Sequence, residues 1–159
     1  MNVTIISVGK IKEKYLSDAI IEYSKRISRY SKLDIIEVSD EKTPENPSDV
    51  EKSKILEKEA ERILKHLRKD SFLITLEILG KELTSEDLAK KINDLSISGK
   101  QNITFVIGGS LGLSKNISEI SDFKLSFSKM TFPHQLMRVI LLEQIYRSFR
   151  IISGEPYHK

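Results

Sequence analysis

Short apolar runs alternate with longer helical segments along the whole chain, and this alternation restricts the fold more than any other feature of the sequence. The runs are rich in β-branched and aromatic residues and have the length of buried strands. There are five of them: Val3–Val8, Leu33–Val38, Phe72–Leu76, Thr104–Ile107 and Phe123–Phe127. Strand–helix alternation of this kind predicts an α/β fold with a mainly parallel five-stranded sheet and helices on both faces.

The segments between the strands have helical periodicity and recognisable boundary signals. Thr84-Ser-Glu-Asp87 has nearly the form of a capping box, and Pro133 suits the first position of a helix. Gly80 is expected in a turn after the third strand. The predicted helices are Tyr15–Arg29, Val50–Leu67, a segment between Thr84 and Gly99, a short stretch at Lys115–Ile120, and Pro133–Ile152.

Length and composition are those of a globular protein with one domain, residues 1–159. Of the residues, 39% are hydrophobic and 31% are charged, as in ordinary folded chains. No apolar run approaches the roughly 20 residues that a membrane-spanning helix needs. The absence of cysteine excludes disulfides and thiolate chemistry and fits a reducing cytoplasm. No cluster at the expected site predicts a metal ion.

The best candidate for a binding site follows the fourth strand. Gly108, Gly109 and Gly112 lie within five positions directly after it. Glycines at the end of a strand permit positive φ and close approach of backbone N–H groups, and ligands of open α/β sheets bind beyond the carboxyl ends of the strands. The loop is neither a Walker A motif nor a dinucleotide fingerprint. A strand-to-helix turn without a ligand would use the same glycines.

A second loop, between the fifth strand and Pro133, repeats this plan. It leads to His134 at a helix start, where N–H groups and the helix dipole favour an anion, although a packing or capping role suits this histidine equally. Residues 100–159 contain 8 Lys and Arg against 4 Asp and Glu, whereas residues 41–99 contain 11 against 13. The positive excess indicates a polyanionic partner such as nucleic acid, and ordinary surface lysines explain it nearly as well.

The last helix is apolar around most of its circumference. A helix of this kind must be buried on nearly all sides, which predicts a subunit interface and a symmetric dimer. Central packing within one chain is the alternative. The apolar positions are Leu136, Met137, Val139, Ile140, Leu141, Leu142, Ile145, Tyr146 and Phe149.

The chain ends in Tyr157, His158 and Lys159. An aromatic ring, a titratable group and a cation in succession can stack on a base, move a proton and contact a phosphate. On spacing alone, a frayed chain end is the simpler interpretation.

Together these motifs closely resemble the SPOUT-class large-subunit ribosomal RNA pseudouridine N3-methyltransferases. The resemblance extends over the whole chain, and its elements are specific in combination and in order. They are Val8-Gly-Lys10, Glu22-Tyr23, Gly80-Lys81, Ile107-Gly-Gly-Ser-Leu-Gly-Leu113, Phe127-Ser-Lys-Met-Thr-Phe-Pro-His134, Arg138, Glu143-Gln-Ile-Tyr-Arg147 and Tyr157-His-Lys159.

The resemblance implies a C-terminal trefoil knot, which the alternation of elements alone does not predict because knots are rare. It also implies a homodimer whose site lies at the interface, with S-adenosylmethionine in the knot loops and the partner's tail completing the RNA site. The implied cofactor contacts are Leu76, Gly108, Gly109, Phe127, Ser128, Lys129, Met130, Thr131 and Phe132.

The implied reaction is methylation of N3 of a pseudouridine in large-subunit (23S) ribosomal RNA, late, on the assembled ribosome. His158 is the candidate that helps N3 lose its proton, and Tyr157 and Lys159 would position the nucleotide. His134, Arg138 and Arg147 are candidate RNA contacts, although either arginine would pair equally well with Glu143.

Two other functions are compatible with the sequence. A nucleotide or phosphate binder would use the glycine loop without S-adenosylmethionine, but its signature residues are missing. A non-catalytic ribosome-binding module would dock through the basic C-terminal part and leave the RNA unchanged.

Overall fold

A single parallel sheet forms the centre of the structure, a computed structural model that describes residues 1–159. The strands lie in the order β2-β1-β4-β3-β5, and all four neighbouring pairs are parallel, which confirms the predicted α/β sheet. Along the chain the elements are β1 (Asn2–Val8), α1 (Lys14–Ile27), β2 (Lys32–Val38), α2 (Asp49–Leu64), β3 (Phe72–Glu82), α3 (Ser85–Ile97), β4 (Asn102–Ile107), α4 (Lys115–Ile120), β5 (Phe123–Ser126) and α5 (His134–Ile152).

Helices cover both faces of the sheet, as predicted. On one face α1, α3 and α5 pack over a cluster that includes the fully buried Ile74 and Phe105. On the other face α2 and α4 bury Ile63 and Ile117 against the strands. The central strands are apolar on both faces for this reason, so they read as continuous rather than alternating apolar runs.

Helix α5 lies between α1 and α3 and contacts both. Leu141, Leu142 and Ile145 are almost completely buried within the single chain. Central packing, the alternative to a subunit interface, therefore accounts for much of this helix's apolar character. Leu136 and Ile152, near its two ends, remain exposed. The homodimer stays a prediction.

Several boundaries differ from the predictions by a few residues, and two of them have a clear physical reason. Pro133 is the N-cap of α5, with ψ of 129°, and not its first helical residue. Gly80 lies within β3, not in a turn after it, because β3 continues to pair with β5 at Lys81 after an irregularity that follows Leu76. A Cβ atom on Gly80 would lie 2.7 Å from the carbonyl oxygen of Lys124, so glycine is needed there for close approach of the strands.

The capping box that the sequence indicates before α3 is present. The N–H of Asp87 donates to Oγ1 of Thr84 at 3.0 Å, and the N–H of Thr84 donates to the Asp87 carboxylate at 3.4 Å. No helix of the chain has both the length and the apolar character required to cross a bilayer.

Candidate active site

The loops after β4 and β5 meet in an open cavity of about 520 Å³. This volume is in the range of sites for small molecules and cofactors. The position agrees with the rule that open parallel sheets bind ligands at the carboxyl ends of their strands. Of the residues that the resemblance assigned to the cofactor, all line the cavity except Lys129; they are Leu76, Gly108, Gly109, Phe127, Ser128, Met130, Thr131 and Phe132.

The glycine loop folds back tightly on itself. Gly109 and Gly112 form an isolated bridge, in which the N–H of Gly112 donates to the carbonyl of Gly109 at 3.0 Å. A Cβ atom on Gly108 would lie 2.3 Å from the carbonyl oxygen of Gly112, and Gly112 itself has φ of 81°. Both positions therefore require glycine for the backbone fold of the loop itself.

A buried carboxylate lies next to this loop. Glu59 of α2 is 4% exposed, and its oxygens lie 3.5 Å from the position of a Cβ atom on Gly109. The carboxylate accepts a hydrogen bond from the N–H of Glu41 at 3.0 Å. Burial raises the pKa of Glu59, with a smaller contribution of the same sign from Asp40, and the Glu41 N–H opposes this shift.

The loop after β5 is held by serine hydroxyl groups. The hydroxyl of Ser126 lies 2.9 Å from the carbonyl of Ile78 and 3.1 Å from that of Ser128, and donates to them. The N–H of Met130 donates to the Ser128 hydroxyl at 3.0 Å. Met130 is 74% exposed, so its side chain lies at the open side of the cavity. The loop therefore combines a fixed backbone with an apolar surface open to a ligand.

His134 brings the N-terminal end of α5 to the same cavity. Its pKa is lowered, first by burial and second by the positive charge of Arg138. A neutral imidazole at this position is consistent with a polar contact to a ligand, and it carries no charge for a phosphate.

Arg138 is buried one turn further along α5. Its guanidinium donates to the carbonyl oxygens of Val8 at 2.9 Å and Gly9 at 2.7 Å, and to the Glu37 carboxylate at 2.7 Å. Burial lowers its pKa, and Glu37 opposes this shift. The RNA contact predicted for Arg138 does not suit this position, because the side chain is 3% exposed and its ionic partner is Glu37 rather than Glu143.

The chain end folds back along the C-terminal half of α5. The Tyr157 hydroxyl donates to Glu143 at 3.1 Å, and its ring lies under the Arg147 guanidinium at 4.7 Å. Arg147 also pairs with Glu143 at 2.6 Å, which is the alternative to a phosphate contact that the sequence left open. Burial, followed by the hydrogen bond to Glu143, raises the pKa of Tyr157. These residues are docked, not frayed.

His158 is held between two charged residues. Its Nδ1 lies 3.2 Å from the Arg147 guanidinium and its Nε2 lies 2.7 Å from the Glu86 carboxylate. Arginine can only donate, so Nδ1 accepts, and Nε2 carries the proton and donates to Glu86. Neither ring nitrogen is a free acceptor in this arrangement. Lys159, the last residue, is exposed.

The structure therefore gathers the predicted site residues into two groups, not one. The cavity and His134 lie at the start of α5, and Arg147 with the tail lies in its C-terminal half. Glu143 and Arg147, which hold the tail, are 9 and 13 residues beyond His134, which at 1.5 Å per residue corresponds to about 14 and 20 Å along the helix. The side chains that hold the tail by hydrogen bonds are thus not among those that line the chain's own cavity.

Several residues of the cavity wall were not predicted. Lys52 and Leu56 come from α2, Glu77 and Ile78 follow Leu76 in β3, and Met137 follows His134 in α5. The role of Glu77 in the cavity wall could have been predicted from the sequence, because this residue directly follows Leu76, an assigned cofactor contact. The contribution of α2 could not have been predicted, because periodicity predicts a helix but not the part of the sheet that the helix covers. No group of three or more His, Cys, Asp or Glu residues is arranged to hold a metal ion.

Comparison with a solved structure agrees with this fold. A "probable methylase family protein" from Haemophilus influenzae aligns with a TM-score of 0.54 at 15% identity, covering 99% of this chain and 70% of that one. At this level of identity the similarity concerns the fold alone.

Sequence comparison gives the family. The model for "Predicted SPOUT methyltransferase" matches residues 1–158. The chain is 92% identical to a relative from Methanococcus maripaludis and 64% identical to ribosomal RNA large subunit methyltransferase H of Clostridium tetani, and both alignments cover 159 residues and 100% of each chain. The chain therefore belongs to the SPOUT methyltransferases and, within them, to the ribosomal RNA large subunit methyltransferase H family.

Proposed function

We propose that this protein transfers a methyl group from S-adenosylmethionine to N3 of a pseudouridine in large-subunit (23S) ribosomal RNA. The substrate is the assembled ribosome, late in its maturation, and the reaction therefore takes place in the cytoplasm. The observation that carries the proposal is the cavity itself, where the two loops assigned to the cofactor meet in one space of about 520 Å³. The family membership supports the same chemistry.

The cavity fits S-adenosylmethionine in both size and character. Bound there, the cofactor would supply an electrophilic methyl group on a positively charged sulfur. The residues that would hold it are the backbone of Gly108 and Gly109 and the apolar side chains of Leu76, Phe127 and Phe132. A mainly apolar wall with a few fixed polar groups is typical of cofactor sites. We also propose that the trefoil knot implied by the resemblance fixes these loops.

We propose a homodimer, which is supported by the separate positions of the two groups along α5, because the side chains that hold the tail are not those that line the cavity. The tail is docked on Glu143 and Arg147 of its own chain. An antiparallel partner would bring its own docked tail to the cavity, so each site would contain residues of both chains.

In that assembly the tail would position the nucleotide. Tyr157 would supply a face for stacking, and Lys159 and Arg147 would supply positive charge near phosphates. His134, at the cavity, would contact the RNA through a neutral ring. Because the chain has no separate RNA-binding domain, the shaped surface of the ribosome would supply much of the recognition.

N3 must lose its proton to become a nucleophile, and His158 is our candidate for assisting that loss. The ring must first leave Arg147, because only then is one nitrogen a free acceptor. The proton would pass from N3 to that nitrogen. Binding of RNA phosphates to Arg147 would favour this release by competing for the guanidinium.

Methyl transfer can be measured directly. The assay uses labelled S-adenosylmethionine with whole ribosomes, separated subunits and free ribosomal RNA from cells that lack this protein. We expect label in one pseudouridine, with whole ribosomes as the preferred substrate. Salt-dependent binding to ribosomes without any label would instead indicate a docking module. Label at another nucleotide would contradict the proposed target and leave the methyltransferase activity intact.

A further inference from the structure

We infer that Glu77 and Lys52 form a subsite for the amino-acid end of S-adenosylmethionine, with the Glu77 carboxylate binding the α-ammonium group and Lys52 the α-carboxylate. This inference rests on the proposed function, because it assigns one part of the same cavity. Both residues line the cavity, and apart from His134 they are its only ionisable side chains. Their charges are opposite, as are the two charges of an amino acid.

Glu77 is held in place by hydroxyl groups from two elements. Thr75 Oγ1, in the same strand, donates to one carboxylate oxygen at 2.6 Å. Ser118 of α4 donates to the other at 2.8 Å. Thr75 is completely buried, and its hydroxyl also lies 2.9 Å from that of Ser121. The carboxylate is therefore oriented from behind.

This anchoring leaves capacity for a ligand. An ionised carboxylate has about four acceptor sites, and the two hydroxyl groups use one on each oxygen. The irregularity that follows Leu76 begins at Glu77, so here β3 does not continue its regular pairing with β5. The side chain is consequently placed at the cavity rather than under a neighbouring strand.

Neither charge is neutralised within the chain. All of the salt bridges join other residues. A half-buried carboxylate with oriented hydroxyl donors and no cation is suited to an ammonium group, which offers three N–H donors. Lys52 is exposed on α2 at the same cavity and suits a carboxylate that remains in contact with water.

Three ligands separate this inference from the alternatives. S-adenosylmethionine and S-adenosylhomocysteine both carry the amino-acid end, and only the former has a charged sulfur. Methylthioadenosine retains the adenosine and lacks the amino-acid end. The dissociation constants of the full-length protein for all three are measured by calorimetry, for wild type, Glu77→Gln and Lys52→Met.

We expect Glu77→Gln to weaken the binding of S-adenosylmethionine and of S-adenosylhomocysteine equally, by roughly tenfold or more, because a hydrogen bond to a charged group is lost. Lys52→Met should weaken the binding of both ligands by about two- to fivefold, as expected for the loss of an exposed ion pair. Methylthioadenosine should bind both variants as it binds wild type, which also establishes that the cavity is intact. The matched controls are Glu82→Gln on the same strand and Lys54→Met on the same helix, neither of which lines the cavity.

The contrary outcomes are distinct. Unchanged affinities for Glu77→Gln would overturn the inference, as would an equal loss for all three ligands, which would place Glu77 against the adenosine. A loss restricted to S-adenosylmethionine would place Glu77 against the charged sulfur and also overturn it. If wild type bound none of the ligands, the proposed function itself would fail, and the subsite with it.

Discussion

The two ends of α5 are built in different ways. At the N-terminal end, Arg138 is buried and joins the helix to the carboxyl end of β1 through two backbone carbonyls and Glu37. At the C-terminal end, Arg147 and His158 are partly exposed, and the outermost partner, Glu86, has a side chain that is 61% exposed. The cavity end thus belongs to the core, whereas the tail end is a surface contact.

This difference matches the two tasks that we propose. A cofactor site requires loops that keep one geometry, and buried hydrogen bonds to backbone groups are costly to break. A tail that meets a large RNA must exchange its partners, and exposed ion pairs are weak enough to do so. Mutations at the cavity end should therefore affect cofactor affinity and stability, whereas mutations at the tail end should affect the rate of methyl transfer to ribosomes.

The largest effect is expected at the tail. His158→Ala should reduce the rate of methyl transfer to ribosomes by roughly 10² or more, the usual contribution of a general base. The affinity for S-adenosylmethionine should change much less than the rate, because no residue of the tail lines the cavity proposed for the cofactor. His66→Ala, beyond the end of α2, is the matched control and should transfer methyl normally. Full methylation by His158→Ala would eliminate this residue as the base.

At the cavity end, Gly108→Ala should weaken the binding of S-adenosylmethionine by roughly tenfold or more, as for the loss of one or two hydrogen bonds in a displaced loop. The added Cβ would overlap the carbonyl of Gly112, so the loop must shift. Binding is measured by calorimetry, and thermal denaturation monitors the fold. Gly154→Ala is the control, because it strains a positive φ beyond the other end of α5, where a Cβ meets no atom within 4 Å. Equal losses in the two variants would remove the distinction between the ends.

Stability should also differ between the two arginines. Arg138→Met leaves two carbonyl groups and Glu37 without their donor, and should lower the free energy of unfolding by about 3 kcal/mol. Arg147→Met breaks a partly exposed pair with Glu143 and should cost about 0.5 kcal/mol. Urea denaturation of both variants gives the comparison. Similar values would mean that the buried contacts contribute no more than the surface ones.

Much of the cavity end could be predicted from the sequence. Gly108 and Gly112 marked the loop because a backbone turn of this kind leaves a compositional signal. The position at the sheet edge followed from the order of the strands, and the short helix α4 has the predicted bounds. The capping box at Thr84 fixed the start of α3 in the same way. Features that depend on the local backbone could therefore be predicted from the sequence.

Contacts between distant segments could not be predicted in this way. Arginine is usually exposed, so nothing in the sequence around Arg138 indicated that β1 would offer it two free carbonyls. Lys52 reaches the cavity only because α2 crosses that part of the sheet. His158 resembled a free terminal base, and the structure instead pairs both of its ring nitrogens. These are tertiary contacts, and no pattern in the neighbouring sequence indicates them.

The smallest effect is a pH dependence of stability with opposite signs at the two ends. Burial raises the pKa of Glu59, beneath the glycine loop, whereas hydrogen bonds, first from its own backbone N–H and then from His158, lower the pKa of Glu86 beside the tail. A raised pKa in the folded state means that stability is lost as the pH rises above the unfolded value of about 4.3. A lowered pKa means that stability is present above that value and is lost as the pH falls.

The test is the free energy of unfolding of Glu59→Gln and Glu86→Gln, relative to wild type, from about pH 3 to pH 7, an interval that extends to both sides of the unfolded value. Glu59→Gln should become more stable relative to wild type as the pH rises, because glutamine carries no charge to bury and can still accept the Glu41 N–H. Glu86→Gln should become less stable relative to wild type over the same interval. Glu61→Gln, exposed on α2, should follow wild type throughout. Burial of one carboxylate and hydrogen bonding of the other should give opposite slopes of stability against pH. Slopes of the same sign for Glu59→Gln and Glu86→Gln would therefore mean that the two ends do not differ in their electrostatics.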